Sequence, residues 1–467
     1  MTGDPQTLLH DMEREILVRR PEASIEPTLD RIAAVTALLG DPQRSCPVIH
    51  ITGTNGKTST ARMIDALLRE RGLRTGRFTS PHLSSMRERI CVDGEPLDAE
   101  RFIAAYQEVL PYVELVDKRH GVPLSFFEVL TAMAFAAFAD APVDVAVVEV
   151  GLGGTWDATN VADGTVAVVT PVAIDHTSYL GSTLESIAGE KAGIIKPGAV
   201  AVLAQQPVAA AEVLLERVAE VGASVAREGF EFGVLGRDLA LRGQQLSLRG
   251  LRGLYDEVFL PLFGAHQAGN AACALAAAEA FAATAEDRGL ALVGEPDPLD
   301  VGLVRQAFAS VTSPGRLEVV RRSPTVIVDA AHNPAGMAAS AEALTEAFTF
   351  TRLAGVLAIS ADKDAVGLLG ELEPIVADLV VTRNSSDRSM PVAELAELAG
   401  EIFGPERVRV AARMDDAIEA AVGLADDAQE AGRPGGSGGS GVLITGSVVT
   451  AGDARLLLTA EGAGVTA

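Results

Sequence analysis

The chain has 467 residues, 48% of them hydrophobic and 22% charged, a globular composition with room for about three domains. This composition excludes a disordered or collagen-like chain. Acidic residues outnumber basic ones by 63 to 38, a net charge of −25, so we expect neither nucleic acid nor a membrane as partner. Three scattered cysteines, Cys46, Cys91 and Cys273, exclude a disulfide framework and a cysteine-based zinc site.

The sequence also lacks the signals of secretion and membrane insertion. The N-terminal stretch has no basic segment followed by an apolar one. The longest apolar stretch, near 132–150, is interrupted by Asp140 and Asp144 and is therefore no membrane span. We expect a cytoplasmic protein.

Short apolar runs alternate with longer helical patterns along most of the chain. Runs without polar alternation are typical of parallel strands covered on both faces, so the predicted fold class is α/β. The predicted strands are Val48–Thr52, Phe78–Thr79, Val143–Val150, Val166–Thr170, Ala199–Leu203, Thr325–Asp329, Gly355–Ile359, Leu379–Thr382 and Val442–Thr445.

Three segments depart from this alternation. Glycine-punctuated residues 228–260 predict a small antiparallel insert, after which helices resume at His266 with an alanine-rich helix over 269–283. Ser313-Pro314-Gly315 has the composition of a hinge, so the predicted domains are 1–312 and 313–467. Residues 431–441 are rich in glycine and serine, which predicts a flexible loop.

The first predicted strand leads into a glycine loop and then a helical pattern that ends at Gly72. The loop consists of Gly53, Thr54, Asn55, Gly56, Lys57 and Thr58. This context predicts a nucleotide site, because the glycines let backbone N–H groups close on phosphates and Lys57 reaches the β- and γ-phosphates. An ordinary glycine turn is the alternative, since Ile51 replaces the first glycine of the common Gly-x4-Gly-Lys-Thr spacing.

GTNGKT is one of several motifs that together resemble the folylpolyglutamate synthase/dihydrofolate synthase family of the Mur ligase superfamily. Each motif is weak alone, but they follow in order over about residues 25–455. The others are SPHL at 80–83 with ERI at 88–90, EVGLGG at 149–154, DATN at 157–160, Asp175-His176, EKAGI at 190–194, His266-Gln267 with Asn270, PGRLE at 314–318 and DAAHNP at 329–334.

The resemblance implies a P-loop ATPase domain over 1–312 and a Rossmann-like glutamate-ligase domain over 313–467. It implies that glutamate is joined to dihydropteroate, to a reduced folylpolyglutamate, or to both, through an acyl phosphate made from ATP. Two magnesium ions are expected with ATP as co-substrate, together with a monovalent cation such as K⁺. The resemblance also implies a monomer.

Phosphoryl transfer needs Mg²⁺ to neutralise charge on the transferred group. By resemblance its ligands are Ser80, Glu149 and His176, and a carbamylated Lys191 serves the second ion. From the residues alone, Glu149 fits a buried ion pair equally well, and a structural histidine is the alternative for His176. Lys191 beside Glu190 also fits a solvated helical charge pair.

The remaining nucleotide and glutamate contacts come from the resemblance too. Asn270, Arg316 and Asp329 correspond to ATP contacts, with Arg316 suited to phosphate and Asp329 to ribose. His332 is a candidate for glutamate handling or proton transfer, and Ser447 for glutamate binding. The catalytic set is Lys57, Lys191 and His332. From the residues alone, Asn270 also fits a surface asparagine and Arg316 a linker ion pair. Asp329 and His332 also fit residues at helix termini.

Three segments correspond to family positions for the pterin. They are Glu26, Pro27 and Thr28; Ser125, Phe126, Phe127 and Glu128; and Thr155, Trp156 and Asp157. The aromatic rings suit stacking on a flat heterocycle, and Asp157 suits its amino group, although core aromatics are the usual alternative. The chain departs from the family at Thr155, where arginine is usual, and in the segment 360–364.

Other activities remain open on the sequence alone. A folylpolyglutamate synthase without dihydrofolate synthase activity fits the same motifs. A peptidoglycan Mur ligase shares GTNGKT, but only about 45 residues precede the loop, too few for its usual N-terminal domain. A nucleotide-gated switch would hydrolyse ATP without any dependence on glutamate and an acceptor acid.

Overall fold

The computed structural model describes residues 5–19, 26–287, 299–431 and 439–463. It divides into two compact units. Unit 1 comprises Met1–Asp238, Gln245–Pro261 and Gln267–Val311, and unit 2 comprises Leu239–Gln244, Leu262–His266 and Thr312–Ala467. The predicted flexible loop at 431–441 lies largely outside the described residues, which omit 432–438.

The helices lie between the strands along the chain, as an α/β fold requires. They are α1 (Pro5–Leu17), α2 (Asp30–Leu38), α3 (Lys57–Glu70), α4 (Ala99–His120), α5 (Phe126–Asp140), α6 (Thr177–Leu180), α7 (Leu184–Ala192), α8 (Val208–Val221), α9 (Ala265–Asp287), α10 (Val301–Ala309), α11 (Pro334–Ala347), α12 (Ala365–Leu372), α13 (Val392–Phe403), α14 (Met414–Ala431) and α15 (Val448–Ala463). None of these described helices is long and apolar enough to cross a membrane.

The strands of the described residues form three sheets. They are β1 (Val48–Thr52), β2 (Thr75–Phe78), β3 (Ile90–Val92), β4 (Glu95–Pro96), β5 (Val145–Glu149), β6 (Gly164–Val169), β7 (Val200–Leu203), β8 (Ser224–Arg227), β9 (Gly233–Ala240), β10 (Gly243–Arg249), β11 (Leu254–Leu260), β12 (Glu318–Arg322), β13 (Thr325–Val328), β14 (Phe350–Leu357), β15 (Asp378–Val381), β16 (Val408–Val410) and β17 (Gly439–Thr445).

The largest sheet belongs to unit 1 and has the order β4-β3-β2-β5-β1-β6-β7-β8. The strands from β2 to β8 in this order run parallel, and β3 and β4 pair antiparallel at one edge. One apolar cluster joins α1, α2, α4 and α5 to β1, β2 and β5, and another joins α7 and α8 to β6 and β7. The central strand β1 is therefore fully buried, and the loop that follows it starts from a fixed position.

The predicted insert is a three-stranded sheet with the order β11-β10-β9. Only two residues join β9 to β10 and four join β10 to β11, connections that antiparallel neighbours allow and parallel ones do not. The insert begins at Gly233 rather than 228, because β8 belongs to the large sheet.

Unit 2 has a six-stranded sheet of order β12-β13-β17-β14-β15-β16. Only β12 is antiparallel to its neighbour, and the other pairs are parallel. The predicted α/β class is confirmed in both units. The assignment of ATP binding to 1–312 and of glutamate binding to 313–467 stays a prediction.

Candidate active site

The phosphate loop needs its two glycines for steric reasons. Gly53 has φ +147°, and a Cβ there would lie 1.8 Å from the Thr170 hydroxyl. Gly56, at φ +89°, immediately precedes α3, and a Cβ there would lie 2.4 Å from the Asn270 side-chain oxygen. Backbone this close to its neighbours admits no side chain. The structure thus places Asn270, at the start of α9, directly against the loop.

Two lysines donate to carbonyl groups of this loop. The Lys57 ammonium lies 3.0 Å from the Gly53 oxygen and 3.1 Å from the Thr54 oxygen. Lys191, buried at the end of α7, lies 2.8 Å from the same Gly53 oxygen. Burial, and then the charge of Lys57, hold the Lys191 pKa well below its usual value. The neutral amine is therefore the favoured form of Lys191.

Glu149 ends β5 with its carboxylate buried next to the start of α3. The Thr58 hydroxyl donates to both Glu149 oxygens at 3.0 Å, and the Ser80 backbone N–H lies 3.3 Å from Oε2. The structure thus brings together two of the predicted metal ligands, Ser80 and Glu149, with the threonine of the phosphate loop. Carboxylate and hydroxyl oxygens are the ligands that Mg²⁺ prefers, so these residues fit the ion.

His176 lies beside an acidic neighbour. It adopts φ +50°, its N–H donates to Asp175 Oδ1 at 2.8 Å, and its ring nitrogen lies 3.9 Å from Asp175 Oδ2. Within the described ranges, no three His, Cys, Asp or Glu side chains are grouped closely enough to hold a metal ion. Hydroxyl groups, a modified lysine or nucleotide oxygens would have to complete a magnesium site.

Two of the three predicted pterin segments are joined by Arg31, a buried residue of α2. Its Nη1 donates to Glu26 Oε2 at 2.9 Å, and its Nε and Nη2 donate to the Glu128 carboxylate at 3.0 and 3.4 Å. Glu128 also accepts from the Ser125 backbone N–H at 2.8 Å, and the Ser125 hydroxyl accepts from the Glu128 N–H, which together form a capping box for α5.

The backbone that leads from β5 to the third segment lies against the start of α5 at Phe127. A Cβ on Gly151 would lie 2.6 Å from the Phe127 ring, and the Phe78 ring packs on Phe127 at 5.7 Å between centroids. Phe126 is buried under the Arg89 guanidinium, 4.9 Å from the ring centroid, and is part of the apolar cluster that includes α5. Pro27 is exposed, and the Thr28 hydroxyl accepts from the backbone of α2.

Asp157 is buried and its carboxylate already accepts several hydrogen bonds from its own loop. They come from the Leu152 N–H at 2.9 Å and from the Thr159 N–H and hydroxyl at 3.0 and 2.5 Å. Burial nevertheless raises the Asp157 pKa to about 6. His50 of β1 lies 2.8 Å from the Thr159 hydroxyl, and burial lowers its pKa to about 3.

Thr155 holds this same loop to the end of α7. Its N–H and hydroxyl both donate to the Glu190 carbonyl, at 2.9 and 3.1 Å. A Cβ on Gly154 would lie 2.6 Å from that carbonyl, and one on Gly193 would lie 2.2 Å from the Thr155 hydroxyl. Trp156 is half-buried and packs on the apolar cluster of α7. The backbone beside Lys191 is therefore in tight contact with a predicted pterin segment.

The predicted residues of unit 2 gather near the carboxyl end of β13. Asp329 is buried, and its carboxylate accepts from the Leu317 and Ala331 N–H groups and from the Ser340 hydroxyl at 2.9–3.0 Å. These bonds give Asp329 a structural role whatever else it contacts. Arg316 precedes Leu317 in the turn that Asp329 stabilises, and the Arg316 backbone N–H donates to the Ser313 carbonyl.

His332 and Ser447 lie at helix starts. His332 precedes α11, whose N-cap is Asn333, and its Nδ1 lies 3.1 Å from the Ala330 carbonyl. A carbonyl only accepts, so Nδ1 carries the proton and Nε2 is the basic nitrogen. The buried Ser447 hydroxyl accepts from the Thr450 N–H and from Asn384 Nδ2, so it caps α15.

Sequence reasoning missed two residues that organise these segments. Arg31 gave no signal, because a single arginine in a helical pattern resembles an ordinary surface residue. His50 stands within a strand whose neighbours are apolar, and this was an available sign of a buried polar contact.

Comparisons with known proteins show the family of the chain. Residues 121–278 match the Mur ligase middle domain and 315–448 match the Mur ligase glutamate ligase domain. The chain is 52% identical to a dihydrofolate synthase/folylpolyglutamate synthase of Mycobacterium tuberculosis, over 98% of this chain and 95% of that protein.

Solved structures show the same similarity. The M. tuberculosis folylpolyglutamate synthase complexed with ADP and AMPPCP has a TM-score of 0.90 at 51% identity, covering 97% of this chain and 99% of that one. E. coli FolC in complex with DHPP and ADP has a TM-score of 0.80 at 28% identity, covering 99% of each chain. The chain belongs to the folylpolyglutamate synthase/dihydrofolate synthase family of Mur-type ATP-dependent ligases.

Proposed function

We propose that this chain uses ATP to join the amino group of L-glutamate to the carboxylate of dihydropteroate, of a reduced folylpolyglutamate, or of both. ADP and phosphate are the other products. The observation that carries this proposal is the position of β5, which ends at Glu149 beside the phosphate loop and continues to Gly151 against Phe127. These contacts support a phosphoryl-transfer site and an acceptor site at the same end of β5.

In the first step, a carboxylate oxygen of the acceptor attacks the γ-phosphorus of ATP. The new O–P bond gives an acyl phosphate, and the bond to the bridging oxygen of ADP breaks. Lys57 and the N-terminus of α3 hold the phosphates, and Asn270 lies beside Gly56 to contact the nucleotide. Thr58, Ser80 and Glu149 would hold Mg²⁺, which supplies charge neutralisation at the transferred phosphate.

Lys191 contributes as a neutral, buried amine. Its nitrogen attacks CO₂, an N–C bond forms and a proton is released, and the resulting carbamate is a carboxylate-like group at the same position. The low pKa of Lys191 supports this step, because only an unprotonated amine is nucleophilic. Such a group, with His176, would serve a second magnesium ion.

In the second step, the glutamate amine attacks the acyl carbon and phosphate leaves. The amine must lose a proton, and we assign its removal to His332. The hydrogen bond of Nδ1 to Ala330 supports this role, because it leaves Nε2 as the basic nitrogen. We assign glutamate binding to unit 2, with Ser447 as a further predicted glutamate contact, whereas Arg316 and Asp329 are predicted contacts of ATP.

The test is phosphate release from ATP with Mg²⁺ and glutamate, comparing dihydropteroate with a tetrahydrofolate acceptor. Phosphate release with each of the two acceptors separately establishes two activities. Release with tetrahydrofolate alone establishes a folylpolyglutamate synthase without the other activity. Release without any acceptor contradicts the proposal and favours a nucleotide-hydrolysing switch.

A further inference from the structure

Arg31 stands between two carboxylates that lie far apart in sequence. Its side chain is 5% exposed, and it forms four hydrogen bonds through three nitrogens. Two go to the Glu128 carboxylate, one to the Glu26 carboxylate and one, at 3.4 Å, to the Glu26 backbone oxygen. The planar fork of arginine allows this arrangement, and lysine cannot reproduce it.

The two partners of Arg31 differ in their surroundings. The Glu128 side chain is 7% exposed, whereas that of Glu26 is 52% exposed. The pair with Glu128 compensates the burial of the arginine, since a buried guanidinium needs a buried partner. The ion pair with Glu26 fixes the exposed segment 26–28 to the buried Arg31 guanidinium.

Fold stability alone does not account for the Glu26 pair. The start of α5 is already capped by Ser125 and Glu128 without Glu26. Ion pairs with one exposed partner stabilise a fold by about 1 kcal/mol or less. The pair does, however, set where residues 26–28 lie relative to the start of α5, where Phe127 contacts Gly151.

We propose that Arg31 is a positioning residue for the acceptor, which sets the 26–28 segment against the N-terminus of α5 through Glu26 and Glu128. This inference rests on the proposed function, in which both segments contact the pterin. Arg31 itself lies beneath the segment and acts on the acceptor through Glu26. Its loss therefore weakens acceptor binding and leaves the nucleotide steps unchanged.

The test uses Glu26→Ala, Glu26→Gln, Arg31→Lys and the double variant Arg31→Lys/Glu26→Ala. KM is measured separately for acceptor and ATP. We expect Glu26→Ala and Arg31→Lys to raise the acceptor KM about tenfold, with kcat and the KM for ATP within about twofold of wild type. Glu26→Gln keeps an oxygen that accepts from Nη1, so it should stay within about threefold.

The double variant tests whether Arg31 acts on the acceptor through Glu26. If Arg31 acts through Glu26, the acceptor KM of the double variant equals that of Arg31→Lys alone. Multiplication of the two single effects would mean that Arg31 and Glu26 act independently on the acceptor, and would overturn the proposal. Glu26→Ala needs no buried change, so it remains informative if Arg31→Lys does not fold.

Other outcomes are equally decisive. An unchanged acceptor KM in Glu26→Ala, or a lower melting temperature as its only effect, overturns the inference. Glu95→Ala, at an exposed position on β4, is the matched surface control and should leave both KM values unchanged. A wild-type chain that releases no phosphate with either acceptor overturns the proposed function instead.

Discussion

Lys191 and Gly53 are 138 residues apart in sequence, yet the lysine nitrogen lies 2.8 Å from the glycine carbonyl. The contact joins the end of α7 to the phosphate loop. Lys57 donates to the same carbonyl, so two amines meet at one backbone oxygen. Burial and this neighbouring charge both favour the neutral form of Lys191.

Replacing Lys57 tests the phosphate loop. We expect Lys57→Ala to lower ATP turnover by about 10²- to 10³-fold or more, because it removes the charge that we predict to bind the β- and γ-phosphates. Acceptor-dependent phosphate release is the measurement. Lys118→Ala, at an exposed position of α4, is the matched control and should keep the wild-type rate. Undiminished turnover in Lys57→Ala would contradict the loop assignment.

Replacing Lys191 tests its role as an amine. We expect Lys191→Met to abolish turnover while the free energy of unfolding stays within about 1 kcal/mol of wild type, because only one hydrogen bond is lost and Gly53 keeps Lys57. Enzyme assays and denaturant unfolding measure the two effects. ¹³C NMR under ¹³CO₂ should show a carbamate signal in wild type that the variant lacks. A variant with full turnover removes the carbamate from the mechanism.

His50 makes stability depend on pH. Its pKa falls from 6.5 in the unfolded chain to about 3 in the folded one. Below pH 6.5 the unfolded chain therefore binds a proton that the folded chain does not, and stability falls as pH decreases, by roughly 3 kcal/mol at pH 4. His50→Gln keeps a donor for Thr159 and should flatten this slope in denaturant unfolding between pH 7 and 4. Parallel slopes would refute this contribution.

The Thr159 hydroxyl stabilises the charged form of Asp157. Thr159→Val removes that donor, so the Asp157 pKa rises further above its present value of about 6. We expect the variant to lose acceptor affinity near neutral pH and to regain it as pH rises. Thr159→Ser keeps the hydroxyl and should follow the wild-type profile of acceptor KM against pH. A Thr159→Val deficit that is constant with pH would point to packing instead.

The sequence predicts the parts of the site that depend on neighbouring residues. The strand Val48–Thr52 has the predicted bounds, and the glycine loop follows it as predicted but ends at Gly56, because α3 already begins at Lys57. The approach of Glu149 to Thr58 follows from parallel strands that end at one edge. The bridge by Arg31 joins α2 to a residue 97 positions away, and no local pattern distinguishes such an arginine from a surface one.

The roles of Asp157 and Asp329 also exceed what spacing can predict. Both follow the expected elements, but the path of each loop decides how many backbone N–H groups reach the carboxylate. The end of a strand predicts where the aspartate lies. The hydrogen-bond donors that reach its carboxylate depend on the tertiary contacts around it.

The close packing of Gly154 and Gly193 also bears on how the enzyme could be inhibited. Neither position has room for a methyl group, so the loop at 153–157 cannot move toward the end of α7 without displacing the backbone beside Lys191. An inhibitor that pushes the predicted pterin segments toward α7 would then displace Lys191 as well. Substitutions of these two glycines that reduce inhibitor binding would also damage the enzyme. Resistance is therefore difficult to acquire at this contact.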